Sequence, residues 1–112
     1  MGNNDVYLRA MMSLLARQTF PPDRLAEIVT PVANSKTFET FNLCDGTRTQ
    51  TEIASLSKSD SGNLSRMIKR WIDEGIMIRV TDEGNSKPVH VYPIPDRIIQ
   101  SSKKRETGKK DE

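Results

Sequence analysis

The feature that most constrains this chain is a change of hydrophobic period at Gly75. Before it, Leu64, Met67, Ile68, Trp71 and Ile72 fall at i, i+3, i+4, i+7 and i+8, which gathers five apolar side chains into one arc of a helix. After it, Ile76, Ile78 and Val80 alternate with Met77, Arg79 and Thr81, the period of a half-buried strand. The polar run Asp82-Glu83-Gly84-Asn85-Ser86-Lys87 then reads as a hairpin loop, and Val89 and Val91 alternate with His90 and Tyr92 on a returning strand that Pro93 and Pro95 end. A helix followed by a β-hairpin makes the expected fold class α+β, mostly helical with a C-terminal two-stranded hairpin.

Upstream signals fit the same plan. A turn at Asp45-Gly46 precedes Thr49-Gln50-Thr51-Glu52, whose Thr-x-x-Glu spacing suits a capping box at the start of a short helix through Ile53, Ala54 and Leu56. Ser57-Lys58-Ser59 interrupts that helix. Ser59 is positioned to cap a second one over residues 60–74, with Asp60 at its positive end and Gly75 as its stop. Nearer the N-terminus, residues 6–16 include Val6, Tyr7, Leu8, Met11, Met12, Leu14 and Leu15, an apolar surface too wide for a solvent-facing helix, so this helix is expected to be buried on several sides. Phe20-Pro21-Pro22 breaks it, Pro22 and Asp23 open a short helix through Leu25, Ile28 and Val29 that Pro31 stops, and residues 35–43 predict another carrying Phe38 and Phe41.

At 112 residues, with 35% apolar and 29% charged, the expected unit is one domain over residues 1–95. No apolar run reaches membrane-spanning length, and Met1 to Asp5 is polar, so the expected location is the cytoplasm, with no membrane partner. Cys44 and His90 are the sole cysteine and histidine, which excludes an internal disulfide and a His/Cys zinc site. No paired carboxylates, nucleophile with base, or phosphate loop is present, so neither an enzyme nor a cofactor is expected. His90 reads as a surface or half-packed imidazole, Cys44 as a thiol packed at a helix end. Residues 96–112 hold six Lys and Arg against four Asp and Glu, whereas residues 1–95 hold eleven of each. The net +2 thus belongs to the tail, read as basic and disordered, and removal of residues 101–112 is expected to leave the fold intact. A nucleic-acid function must rest on local placement rather than bulk charge.

Thr51-Glu52-Ile53-Ala54, Ser61-Gly62-Asn63-Leu64-Ser65-Arg66 and Trp71-Ile72-Asp73-Glu74-Gly75-Ile76, in register with the helix, turn, helix and hairpin, resemble the winged helix-turn-helix transcriptional regulators, the MarR-like group in particular. The resemblance spans about residues 45–94 and implies a recognition helix and a wing on double-stranded DNA. The residues fit independently, because a major-groove helix needs an apolar face to seat it and a polar face to reach bases and phosphates. Opposite Leu64 and Trp71 lie Gly62, Arg66, Lys69 and Asp73, flanked by Ser59, Ser61, Asn63, Ser65 and Arg70. Arg66 is suited to guanine and Asn63 to adenine, Lys69, Arg70 and Ser65 to phosphate, and Gly62 to close backbone approach. In the wing, only Arg79 and Lys87 favour phosphate while Asp82 and Glu83 oppose it, so wing contacts are expected through Lys87, Asn85 and Ser86, or not at all.

One recognition helix reads about half a turn of DNA, so a homodimeric repressor is expected. Residues 1–44 supply the pairing surface, through Val6, Leu8, Met11, Met12 and Leu15, and residues 45–95 the DNA-binding unit. Burial of that helix in its own core is the competing expectation. Rival functions are a winged helix that binds protein within a larger assembly, and a chromatin or plasmid-partition type protein that coats DNA with little sequence preference.

Overall fold

The computed structural model describes residues 3–111. Met1, Gly2 and Glu112, the ends of the polar N-terminus and of the basic tail, lie outside the described residues. Six helices and a two-stranded antiparallel sheet follow in the order α1 (Asn3–Thr19), α2 (Pro22–Val29), α3 (Ser35–Leu43), α4 (Gln50–Ser57), α5 (Ser61–Asp73), β1 (Met77–Asp82), β2 (Asn85–His90) and α6 (Asp96–Asp111). This is an α+β fold compatible with a winged helix. Among the described residues no helix is long and apolar enough to cross a membrane.

The helix boundaries have local causes. Pro22 opens α2, and Thr30 leaves it in an extended conformation while its N–H still donates to Ala26 O. Asn34 caps α3 by accepting from Thr37 N at 3.1 Å. The capping box of α4 is complete: Glu52 N donates to Thr49 Oγ1 at 3.3 Å and Thr49 N to Glu52 Oε1 at 2.8 Å. Lys58 then turns the chain at a left-handed φ of 54°. Asp60, rather than Ser59, caps α5, accepting from Asn63 N at 3.0 Å. Ser59 Oγ is instead paired with Ser57 Oγ at 2.7 Å. At the far end, Gly75 N donates to Ile72 O and Ile76 N to Trp71 O, both at 3.0 Å, with Gly75 at φ +83°. This Schellman motif aims the chain directly into β1.

The core is centred on Trp71, Phe38, Phe41, Leu25, Ile53, Leu64 and Ile68, all essentially inaccessible. Trp71 meets Phe41 edge-on at 5.2 Å between centroids, and its Nε1 donates to Val29 O at 3.0 Å, which satisfies the indole and an end carbonyl of α2 together. A one-residue bridge, Asp45 to Val89, borders β2 on its other edge, supported by His90 N to Cys44 O at 2.7 Å and Gly46 N to Pro88 O at 3.0 Å.

Several expectations need correction. The basic tail is not disordered: Asp96–Asp111 is helical and rests on α3, with Ile99 and Ser102 buried. Lys103 Nζ reaches Glu39 at 3.3 Å and Ser35 Oγ donates to Glu106 Oε2 at 2.8 Å. Apolar anchorage by Ile98 and Ile99 starts this helix, and the following Lys, Arg and Glu are good helix formers that extend it. The hairpin is consequently not C-terminal. Its loop is also shorter than the polar run implied, because the strands pair out to Asp82 with Asn85 and leave Glu83 and Gly84 as the turn. Their φ values of 50° and 82° are those of a type I′ hairpin. Thirdly, Ile78 and Val80 are 44% and 36% exposed while Ile76 and Met77 are buried; the hairpin projects past the body, so only its base reaches the core. Fourthly, His90 is buried, stacked on Phe41 at 5.5 Å, because that end of β2 is covered on both faces. Lastly, α1 is not enclosed: Val6, Tyr7, Leu8, Met11, Leu14 and Leu15 are 53–65% exposed, since the helix touches the body along a single side.

Candidate nucleic-acid interface

The α5 helix separates its chemistry by face. Leu64, Ile68 and Trp71 are buried, whereas Ser61, Gly62, Asn63, Ser65, Arg66, Lys69 and Arg70 are exposed. Preceding it, α4 packs on α5 across the Lys58 turn, so the outward face of α5 is held in a fixed orientation. Within that face Arg66 Nη2 donates to Asn63 Oδ1 at 3.0 Å. The two side chains expected to reach bases therefore form a single exposed pair one turn from the helix start. Gly62 sits beside them, where an added Cβ falls a tight 3.3 Å from the capping Asp60 Oδ2 and at ordinary contact distance, 3.8 Å, from Arg66 Nη1. Lys69 extends the cationic face one turn further and is exposed.

The other candidate residues are placed differently. Arg70 turns toward α2, where Nη1 donates to Ile28 O at 2.8 Å and Nη2 to Val29 O at 2.5 Å. Its guanidinium is thus committed to the last carbonyls of that helix. Ser59 is half-buried in its contact with Ser57. Arg79, on β1, donates from Nη2 to Gln50 Oε1 at 3.0 Å, linking the base of the hairpin to the first turn of α4. Asn85 is exposed next to the turn and Lys87 is half-buried lower on β2. Asn85, Ser86 and Lys87 belong to a paired strand. Gln50 escaped sequence reading as a site residue because its significance depends on a partner 29 positions away. Lys58 also escaped, although its place in the turn between the helices is a usable signal; it is an exposed cation in a left-handed conformation at the foot of α5.

Electrostatics around the α4 entry favour fixed carboxylates. Hydrogen bonds from the Thr49 backbone and hydroxyl hold the Glu52 carboxyl below its usual range, with Lys87 and Arg48 adding to the effect. Burial pushes Asp45 upward, but hydrogen bonds from Thr47 and the nearby Arg48 and His90 outweigh it and leave the carboxyl lowered. Burial drives the His90 pKa below its ordinary 6.5 against the pull of neighbouring carbonyls and Asp45, so the imidazole is neutral at pH 7. Burial likewise pushes the Cys44 thiol up to about 12, reinforced by Asp45 and opposed by Arg48 and Arg79; with Sγ 3.5 Å from Thr40 O, it is a protonated core group unsuited to thiolate chemistry. Among the described residues no group of three or more His, Cys, Asp or Glu comes together as a metal cage.

What remains at the surface is a small polar and cationic face of Gly62, Asn63, Ser65, Arg66 and Lys69 beside a short hairpin. Such a face can donate bidentate hydrogen bonds and neutralise phosphates. Comparisons with protein-family models and with curated proteins give no match for this chain.

Proposed function

We propose that this protein is a sequence-specific double-stranded DNA-binding transcription regulator of winged helix-turn-helix type, acting in the cytoplasm as a homodimeric repressor. The observation that carries the reading is the exposed Asn63–Arg66 pair, 3.0 Å apart, near the N-terminus of a helix whose opposite side is anchored by Leu64, Ile68 and Trp71. In this reading α4 and α5 form the helix-turn-helix. The α5 helix enters the major groove, Asn63 and Arg66 exchange their mutual hydrogen bond for bonds to base edges, and Lys69 and Ser65 meet phosphates. Arg70 is left out of the contact set because both terminal nitrogens of its guanidinium are tied to carbonyls of α2. The Arg79–Gln50 link fixes the angle of the wing, which offers Asn85 and Lys87 to the backbone.

Pairing of two copies supplies specificity, since one helix covers only half a turn. Selection from a random double-stranded DNA pool tests the proposal. The expected product is a pseudo-palindrome with half-sites about 10 base pairs apart, centre to centre. Binding without enrichment of any sequence supports DNA coating instead, and absence of salt-sensitive binding supports a protein-interaction module. The balanced charge of residues 1–95, eleven cations against eleven anions, favours that last alternative over coating.

A further inference from the structure

Six large apolar side chains of α1, Val6, Tyr7, Leu8, Met11, Leu14 and Leu15, stand 53–65% exposed. The largest apolar patch on a typical monomer spans about 300–600 Å² and is often functional. Tyr7, Met11, Leu14 and Gln18 follow one another at spacings of four, three and four residues, which makes one straight seam along the helix, and Leu8 and Leu15 run beside it. Val6 lies off the seam. The opposite side of α1 is occupied by its own body. Arg9 Nη2 donates to Asp45 O at 2.6 Å, Met12 and Ala16 pack on the core, and the Arg17 guanidinium lies 4.3 Å over the Tyr92 ring. These contacts stop the helix from rolling its seam inward.

We propose that the seam is the contact surface for a second copy of this chain, with the two α1 helices antiparallel, Tyr7 opposite Gln18 of the second copy and Met11 opposite its Leu14. This deepens the homodimeric part of the function proposed above and is independent of DNA contact. The chemistry of the seam favours this occupant. It bears no charge, and the helix's cations Arg9 and Arg17 are engaged on the body side, so no positive flank faces anionic lipid headgroups and no charge pattern selects a different protein. A seam with an apolar centre and one polar residue at each end is complementary to itself about a two-fold axis.

Antiparallel pairing brings the Tyr7 hydroxyl to the Gln18 amide at both ends, sets Leu8 beside Leu15, and opposes the helix dipoles. Parallel pairing faces each polar group with its twin. Covering the seam and the flanking leucines removes on the order of 600 Å² per partner from water, the lower edge of the range for specific interfaces.

The test uses the full chain without DNA, so its outcome stands apart from that of any DNA titration. By sedimentation or light scattering the wild type is expected to be a dimer at micromolar concentration. Leu14→Glu and Met11→Glu are expected to be monomers with unchanged circular dichroism, because both positions are more than half exposed; Leu14→Met should remain dimeric. A monomeric wild type, or a dimeric Leu14→Glu, overturns the proposal. For orientation, Tyr7→Cys and Gln18→Cys are oxidised separately and as an equal mixture, Cys44 being buried. Cross-linking is expected only in the mixture, since the two positions are about 16 Å apart along one helix. A variant that cross-links with itself, or a mixture that does not cross-link, overturns the antiparallel register.

Discussion

Arg66 and Arg70 lie one turn apart on α5 and do different work. Arg70 donates to two backbone carbonyls at the end of α2, so Arg70→Ala should lower stability by about 1–2 kcal/mol, read from chemical denaturation. Arg66 contacts only the exposed Asn63 side chain, and Arg66→Ala should change stability by no more than about 0.5 kcal/mol. Equal losses for both variants contradict this division. Periodicity placed both arginines on the outward side of the helix, and that placement is correct. It does not reveal which one has a carbonyl within reach, because α2 is more than forty residues away in sequence. His90 carries a second prediction at this scale. Its folded-state pKa lies below the ordinary 6.5 because of burial, so the unfolded chain takes up a proton first as pH falls. The stabilising effect of the neutral imidazole is therefore complete above pH 6.5 and is lost below it, with a slope of up to about 1.4 kcal/mol per pH unit. Unfolding titrations of the wild type and His90→Phe between pH 7.5 and pH 5, on the order of one unit either side of that value, should diverge in this window; parallel curves contradict the assignment.

At the scale of elements, the parts of the chain with strong local signals were legible and those decided by distant contacts were not. Pro22, the Thr49–Glu52 box and Gly75 each specify a helix end through atoms within a few residues, and α3 matched its expected span of residues 35–43. The hairpin turn was overestimated because Asn85, Ser86 and Lys87 are polar, yet exposed strand residues of a projecting hairpin have no reason to be apolar. For α6, composition alone suggested disorder, whereas two isoleucines at its start and the pairs Lys103–Glu39 and Ser35–Glu106 secure it on α3. Ile99→Ala should cost about 2 kcal/mol, and removal of residues 101–112 should lower the unfolding temperature, because it strips away the buried Ser102 and both pairs. A truncated chain as stable as the full one contradicts a structural role for α6. Gly46 provides another element-scale test. It sits at φ +87°, and an added Cβ falls 2.9 Å from Val89 Cγ2, so Gly46→Ala should destabilise the bridge beside β2 by about 1–3 kcal/mol.

Over the whole molecule, the α+β class and the order of elements through β2 followed from hydrophobic period and capping chemistry, while the outer surfaces did not. A helix as apolar as α1 suggests enclosure in sequence, yet the remaining chain covers only one of its sides. The candidate DNA-reading face is legible as a pattern of residue types, and its geometry narrows the set to Asn63, Arg66, Lys69, Ser65 and Gly62, with Arg70 withdrawn. The central claim is that this face of α5 reads DNA, and the most direct measurement is titration of Asn63→Ala, Arg66→Ala, Lys69→Ala and Arg70→Ala against a selected and a scrambled duplex at several salt concentrations. Arg66→Ala and Asn63→Ala should each lose about 1–3 kcal/mol on the selected duplex alone, while Lys69→Ala weakens both duplexes and reduces the salt slope by about 1. Folded Asn63→Ala and Arg66→Ala proteins that bind the selected duplex as tightly as the wild type would contradict the claim.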